Sequence, residues 1–467
     1  MLLLKKYSAQ LLVAIIFSLL FYWFSYEITR DKEIELFLFF ILAFSLYLLL
    51  GFKISYDELW LDTKHIIVIA IVTRCVLLFM TPNLSDDFYR FYWDGNVVMD
   101  GENPYKQIPS LYEFRDPAKN EVKKTCFSSS INHFPKGMNS KYYYSVYPPL
   151  SQLVFTVSAS ISGTSIVKNI ICIRLILILF ECLAFFMFIR ILDKLNFKRN
   201  RIWIYALNPL VIIELTGNLH FEGLTLSLML SAFYLILIGK KFISGVFYGM
   251  AICTKLIPLM FVPLLYPLIK TKGYLLFLIG LIVSIFFLFL PFLNLQLIDT
   301  FGSSLGLYFQ SFEFNASLYY IFRWIGEMIT GYNEIGIIGK ITPFITIGAL
   351  LTFFYLSLKR EMNMVVIFKM MSWLLLIYFG VASVVHPWYV IYLVCFSVFT
   401  GYLFPIVWSA TALLSYMAYK EIGIVNENYY LIFIEYALVL IATWIDIKKN
   451  CLTKSTLINR LLLTQKK

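Results

Sequence analysis

Two adjacent carboxylates, a guanidinium and a third carboxylate stand close together in Ser85-Asp86-Asp87-Phe88-Tyr89-Arg90-Phe91-Tyr92-Trp93-Asp94. Asn83 or Ser85 can cap a helix whose first turn holds both aspartates. Asp86, Arg90 and Asp94 then recur every four residues and share one polar stripe. A carboxylate held there is placed to take a proton from a reacting hydroxyl. Acids in a first turn also complement the helix dipole, and Arg90 can serve simply as the partner of Asp86 or Asp94. Phe88, Phe91 and Tyr92 give the helix an apolar side, so it is expected to lie on a membrane interface with Trp93 among its anchors.

Further polar groups are scattered downstream. Lys255 lies amid apolar residues beside Pro258, a costly position unless it faces a polar cavity. Arg323 falls in an amphipathic stretch, 316–332, from which it either snorkels or reaches an anion. Asn218, His220 and Glu222 share one turn, as a site or as a self-satisfied structural group. His386 precedes Pro387, Trp388 and Tyr389, which is also the make-up of an interfacial aromatic belt. His65 and His133 receive no role.

The elements that position these groups follow from composition. The 467 residues are 60% hydrophobic and only 14% charged, far too apolar for a water-soluble fold. A membrane-crossing helix uses about 20 residues, so about 13 of them account for the apolar positions. The expected fold is an all-α polytopic membrane protein, which excludes a soluble enzyme, a disordered chain and a nucleic-acid-binding domain. Lys5 and Lys6 precede an apolar run without a small-residue cleavage site, the pattern of an uncleaved first span. The seven cysteines form no CxxC or Cys/His spacing, so neither zinc nor a disulfide framework is implied.

The net charge of +11 reads as topology, because basic residues mark the cytoplasmic face. With Lys5 and Lys6 inside, spans in 1–81 lead to an outer loop, 82–165, carrying the acidic helix. If 148–165 is re-entrant or lies along the surface, the cluster Arg190, Lys194, Lys198, Arg199 and Arg201 falls inside. Core spans then occupy 166–293, a second outer loop 294–334, the last spans 335–446, and a basic cytoplasmic tail 447–467. Asp86, the turn at His220 and the turn at His386 all reach the outer face.

Gly101-Glu102-Asn103-Pro104-Tyr105 and Tyr147-Pro148-Pro149-Leu150 follow the aspartates in order. In these blocks the chain resembles the GT-C class of membrane glycosyltransferases, particularly the bacterial polyprenol-phosphate-mannose-dependent mannosyltransferases. Asn208-Pro209-Leu210 with Gly217-Asn218-Leu219-His220-Phe221-Glu222 is similar to a segment of the GPI first mannosyltransferases. Lys255 with Pro258, and His386-Pro387-Trp388-Tyr389, match later elements. The resemblance spans roughly residues 80–390 and implies a GT-C fold with a large first outer loop carrying juxtamembrane helices.

It also implies an inverting transfer of a hexose, mannose above all, from a polyprenyl-phosphate donor to a glycan or glycolipid acceptor at the outer, periplasmic face of the cell membrane. Asp87, favoured by its spacing to Gly101, or Asp86 would be the base. Arg90, Lys255, Arg323 and His386 would hold the donor phosphate. Asn218, His220, Glu222, Tyr105, Tyr147, Trp388 and Tyr389 would contact sugar or acceptor. The adjacent aspartates form no DxD pair, so no obligatory metal or other cofactor is expected. Two other readings are a flippase or transporter of lipid-linked saccharide, which should show paired halves, and a glycan ligase or polymerase, whose outer site should be dominated by cations.

Overall fold

A computed structural model describes residues 2–56, 62–112, 138–310, 312–419 and 426–464. His133, Cys126 and most of the stretch between Tyr105 and Tyr147 lie outside the described residues. The first helices are α1 (Leu2–Glu27), α2 (Glu33–Tyr56) and α3 (Thr63–Val76), the last capped by the Asp62 side chain, which accepts from the His65 N–H. Then come α4 (Asp87–Met99), α5 (Pro149–Ser162) and α6 (Ile166–Lys194). A broken leg follows, made of α7 (Trp203–Ala206), α8 (Pro209–Val211) and a π-helical turn, Ile212–Gly217, before α9 (Glu222–Leu237). This leg meets α9 at a 110° bend.

Next are α10 (Lys241–Ile252), 3-10 turns over Ile257–Phe261 and Pro263–Leu265, and α11 (Tyr266–Phe289). The last part holds α12 (Leu297–Gln310), α13 (Leu318–Thr330), α14 (Ile335–Leu358), α15 (Met364–Val381), α16 (Ile391–Thr400), α17 (Phe404–Thr411) and α18 (Tyr429–Thr464). The described residues form no strand; the nearest approach is one isolated bridge between Phe314 and Val384.

The protein is an all-α polytopic membrane protein. Seven helical segments among the described residues are long and apolar enough to cross a membrane, and Pro209–Gly217 with α9 passes the same test only when the bent pair is counted as one span. Fewer segments reach that length than the composition suggests, because several apolar stretches are shorter helices, Lys241–Ile252 and Pro387–Thr400 among them. Irregular backbone of this kind is tolerated at membrane depth only where protein surrounds it. Ile257–Phe292 is itself a hairpin: the backbone leaves helical geometry at Lys270 (φ 62°), and Tyr274 donates back to the Val262 carbonyl at 3.2 Å.

Buried arginines fasten the broken leg. Arg174 on α6 donates to the carbonyls of Thr216 (2.7 Å), Gly217 (3.0 Å), Leu78 (2.8 Å) and Met80 (2.7 Å), which replaces partners freed by the π turn and the frayed end of α3. Deeper in the bundle, Arg74 on α3 meets Glu181 on α6 at 2.8 Å, and Glu181 also accepts from Thr216. The end of α3 therefore lies beside the start of α6, and the two helices are antiparallel. Residues 77–165 consequently begin and end at the same end of the bundle. Within them α5 has 14 residues, about 21 Å, short of a roughly 30 Å hydrocarbon core.

Candidate active site

At that end of the bundle a cavity of about 190 Å3 is lined by Asp86, Asp87, Arg90, Arg30, Tyr147, His386, Trp388, Tyr416 and Tyr419, with Asn139, Ser140 and Phe314 among their neighbours. Helix α4 starts at Asp87, and Asp86 occupies the N-cap without a side-chain capping bond. Neither expected cap acts as such: Ser85 Oγ accepts weakly from the Asp87 N–H at 3.3 Å, and Asn83 turns away to donate to the Ile28 carbonyl at 2.6 Å. Both carboxylates are thereby left facing the cavity.

Asp87 Oδ2 accepts from the Tyr147 hydroxyl at 3.0 Å. The Lys255 ammonium stands 5.4 Å from the centre of the Tyr147 ring and 3.2 Å from Glu222 Oε1. Burial raises the Asp87 carboxyl above the usual aspartate range; Lys255 and the Tyr147 hydrogen bond oppose this, and Asp86 adds to it. Asp86 has its own cation, an ion pair with Arg30 from the α1–α2 connection.

Arg90 pairs with Asp94 at 2.7 Å rather than with Asp86, and donates to the carbonyls of Ser140 (3.0 Å) and Tyr143 (2.9 Å). Its Nη2 is buried with no hydrogen-bond partner. Asp94 in turn accepts from Ser145 and from Gln152 at 2.9 Å, so one salt bridge joins α4, the 140–145 segment and α5. The aromatic side of α4 does not face lipid, as its pattern had suggested. Phe88, Phe91, Tyr92 and Trp93 are buried, and Phe91 stacks on Phe155 of α5 at 4.6 Å. An apolar face covered by another helix and one covered by acyl chains carry the same sequence signature.

The opposite wall is a column of rings. Trp388 lies between His220 (3.8 Å) and His386 (4.2 Å), nearly parallel to both. Burial, and then the charge of Lys255, push His386 down to about 3, so at neutral pH it offers an N–H and no charge. Behind the column sits Glu214, which accepts from Tyr416 at 2.7 Å and Asn218 at 3.1 Å and stands 3.4 Å from His220 Nε2. Asn218 Oδ1 accepts from the Leu84 N–H at 3.3 Å, linking this group to the aspartate loop.

A match of residues 18–270 to the family model for alpha-(1->6)-mannopyranosyltransferases, N-terminal domain, bears directly on this site. The chain belongs to that family. Over 177 residues it is 22% identical to alpha-(1->6)-mannopyranosyltransferase A of Corynebacterium glutamicum, covering 36% of the chain and 31% of that relative. Over 156 residues it is 26% identical to alpha-(1->6)-mannopyranosyltransferase Rv1459c of Mycobacterium tuberculosis, covering 33% of the chain and 24% of the relative. The chain thus spans less than a third of the length of the curated relatives it matches. Membership agrees with the GT-C resemblance read from the aspartate loop. The segment shared with the mannopyranosyltransferase family holds Asp86, Asp87, Arg90, Tyr147, Asn218, His220, Glu222 and Lys255, whereas His386, Trp388 and Tyr416 lie beyond it.

Of the residues singled out from sequence, Asp86, Asp87, Arg90, Tyr147, His386 and Trp388 line the cavity, and Lys255, Glu222, His220 and Asn218 stand directly behind them. Three sit apart. Tyr105 is fully buried and donates to the Tyr147 carbonyl at 2.7 Å, fixing the backbone of a lining residue. Tyr389 packs edge-on against His386 at 5.4 Å. Arg323 is bound to Glu313 and, at 3.0 Å, to the Tyr429 hydroxyl, which occupies its guanidinium away from the cavity. Arg30, Glu214 and Tyr416 were not anticipated. Among the described residues no three His, Cys, Asp or Glu side chains converge as a metal cluster.

Proposed function

We propose that the protein is an inverting mannosyltransferase that takes mannose from a polyprenyl-phosphate donor at the outer face of the cell membrane and passes it to a hydroxyl of a glycan or glycolipid. The observation that carries this reading is Asp87: a carboxyl of raised proton affinity with Lys255 acting on it, open to a cavity that Arg30 and Arg90 also line. In the step envisaged, the acceptor oxygen attacks the anomeric carbon opposite the phosphate. The carbon–oxygen bond to phosphate breaks, the acceptor proton passes to Asp87, and polyprenyl phosphate departs with its charge against the arginines. The guanidinium groups of Arg30 and Arg90, which line the cavity, suit that task better than His386, which lacks charge at neutral pH. Tyr147 and Lys255 hold Asp87 ionised enough to act.

Sidedness has its own support. Arg190 and Lys194 end α6 at the far end of the bundle from the cavity, and the positive-inside tendency favours the cytoplasmic side for that end. The names of both relatives specify an alpha-(1->6) linkage, and the same linkage is the natural expectation for this chain. Transfer of labelled sugar from polyprenyl-phosphate mannose by the purified protein tests the proposal. Asp87→Asn is expected to lower the rate about 10²- to 10⁴-fold, with a smaller loss for Asp86→Asn, whose first duty is to Arg30. Normal transfer by both variants removes the assigned base.

A further inference from the structure

Where α18 begins, a second space of about 10 Å3 is bounded by the polar residues Asn315, Ser415, Glu427, Asn428 and Glu435 and by the apolar Leu414, Ala418, Leu431 and Ile432, room for one water or one bare ion. Asn315 is 0% and Glu435 1% exposed. Each keeps one oxygen without a hydrogen-bond partner, Oδ1 of Asn315 and Oε2 of Glu435. Their other polar atoms are occupied: Glu435 Oε1 accepts from Trp408 Nε1 at 2.9 Å and from Asn315 Nδ2 at 3.2 Å. The Glu427 carboxylate accepts from the Asn315 N–H and the Tyr320 hydroxyl. Among the described residues no basic side chain forms an ion pair with either glutamate.

Two carboxylates beside an amide oxygen, all acceptors and without an ion-paired cation among the described residues, make a hard-oxygen environment whose charge a divalent ion balances. We infer that Asn315 Oδ1, Glu435 and Glu427 form a binding site for a divalent cation of the calcium or magnesium type, with water on the solvent side, next to the exposed Asn428, completing the coordination. The site is separate from the catalytic cavity and independent of the transferase reading. Its position gives it a structural task. Asn315 follows Phe314, whose ring lies 5.0 Å from that of His386, so an ion here ties the 312–317 segment to α18 and steadies one wall of the cavity.

Terbium(III) is a suitable probe, because Trp408 touches a ligand and can sensitise its emission. Metal-free, full-length protein in detergent is expected to give terbium emission on tryptophan excitation, competed away by calcium. Trp408→Phe should dim the emission. Glu435→Gln and, independently, the more exposed Glu427→Gln should weaken binding by at least the 10- to 100-fold typical of losing even an outer-shell partner. Asp86→Asn and Asp87→Asn should leave it unchanged. Absence of sensitised emission, as expected if Glu435 simply carries a proton, overturns the inference. So does emission that survives both glutamine variants or disappears with the aspartate variants.

Discussion

At the residue scale the site turns on opposing influences at Asp87. Burial and Asp86 raise its proton affinity, while Lys255 and Tyr147 lower it. The acid limb of kcat/KM, which reports the base in the free enzyme, is therefore expected above the ordinary aspartate value. Lys255→Met should move that limb upward and Asp86→Asn downward, a pair of opposite displacements measurable in pH–rate profiles. Stability runs the other way. A carboxyl with a raised folded pKa contributes stability below its ordinary value and loses it as pH rises through the raised one. Asp87→Asn should accordingly melt at a higher temperature than wild type at neutral pH while being nearly inactive; a lower melting temperature contradicts the burial argument. The acids, Tyr147 and the His386–Trp388 pair were legible because each sits in a compact motif. Arg30 and Tyr416 were not, since only folding brings them within reach of residues far away in sequence. Glu214, Arg74, Arg174 and Glu181 did leave a trace: a charge inside an apolar run is costly unless partnered.

At the scale of elements, close helix contacts decide where the acids stand. A Cβ added at Gly95 would run into the Phe155 carbonyl of α5, whereas one at Gly336 on α14 would meet open space. Gly95→Ala is expected to destabilise by about 1–3 kcal/mol and to lower transfer by displacing Asp87, with Gly336→Ala close to wild type; equal thermal midpoints and rates would show the contact to be slack. Arg174 offers a second test. Its planar fork reaches four carbonyls, which the three donors of a lysine cannot match, so Arg174→Lys should cost about 1–3 kcal/mol for a buried acceptor left unpaired and loosen the broken leg. Helix types and approximate bounds could be read from apolar periodicity. Lys270 and Lys272 marked the break between the stretch ending at 269 and the span from 273, where the backbone does turn, but the π turn could not be read, because hydropathy records burial and not the winding of the backbone.

For the whole molecule, the antiparallel pairing of α3 and α6 places 77–165 at one end and makes topology testable. In a cysteine-free background, Asn139→Cys should react with an impermeant thiol reagent added outside intact cells, and Asn196→Cys only after permeabilisation; the reverse pattern would put the cavity on the cytoplasmic side. Composition pointed to a membrane bundle, and charge distribution to an orientation, because both depend on sums over many residues. The number of full crossings depends on where each apolar stretch bends, which is local.

The two walls of the cavity are fastened very differently. On one side the Arg90–Asp94 bridge locks α4, the 140–145 segment and α5 into a single rigid jaw. On the other, Phe314 shares two backbone hydrogen bonds, its N–H to Ser383 and its carbonyl to Val385, and the next residue, Asn315, fastens the same segment to Glu427 and to Glu435 of α18. A disturbance at the start of α18 is therefore felt first beside His386, while the acids keep their places.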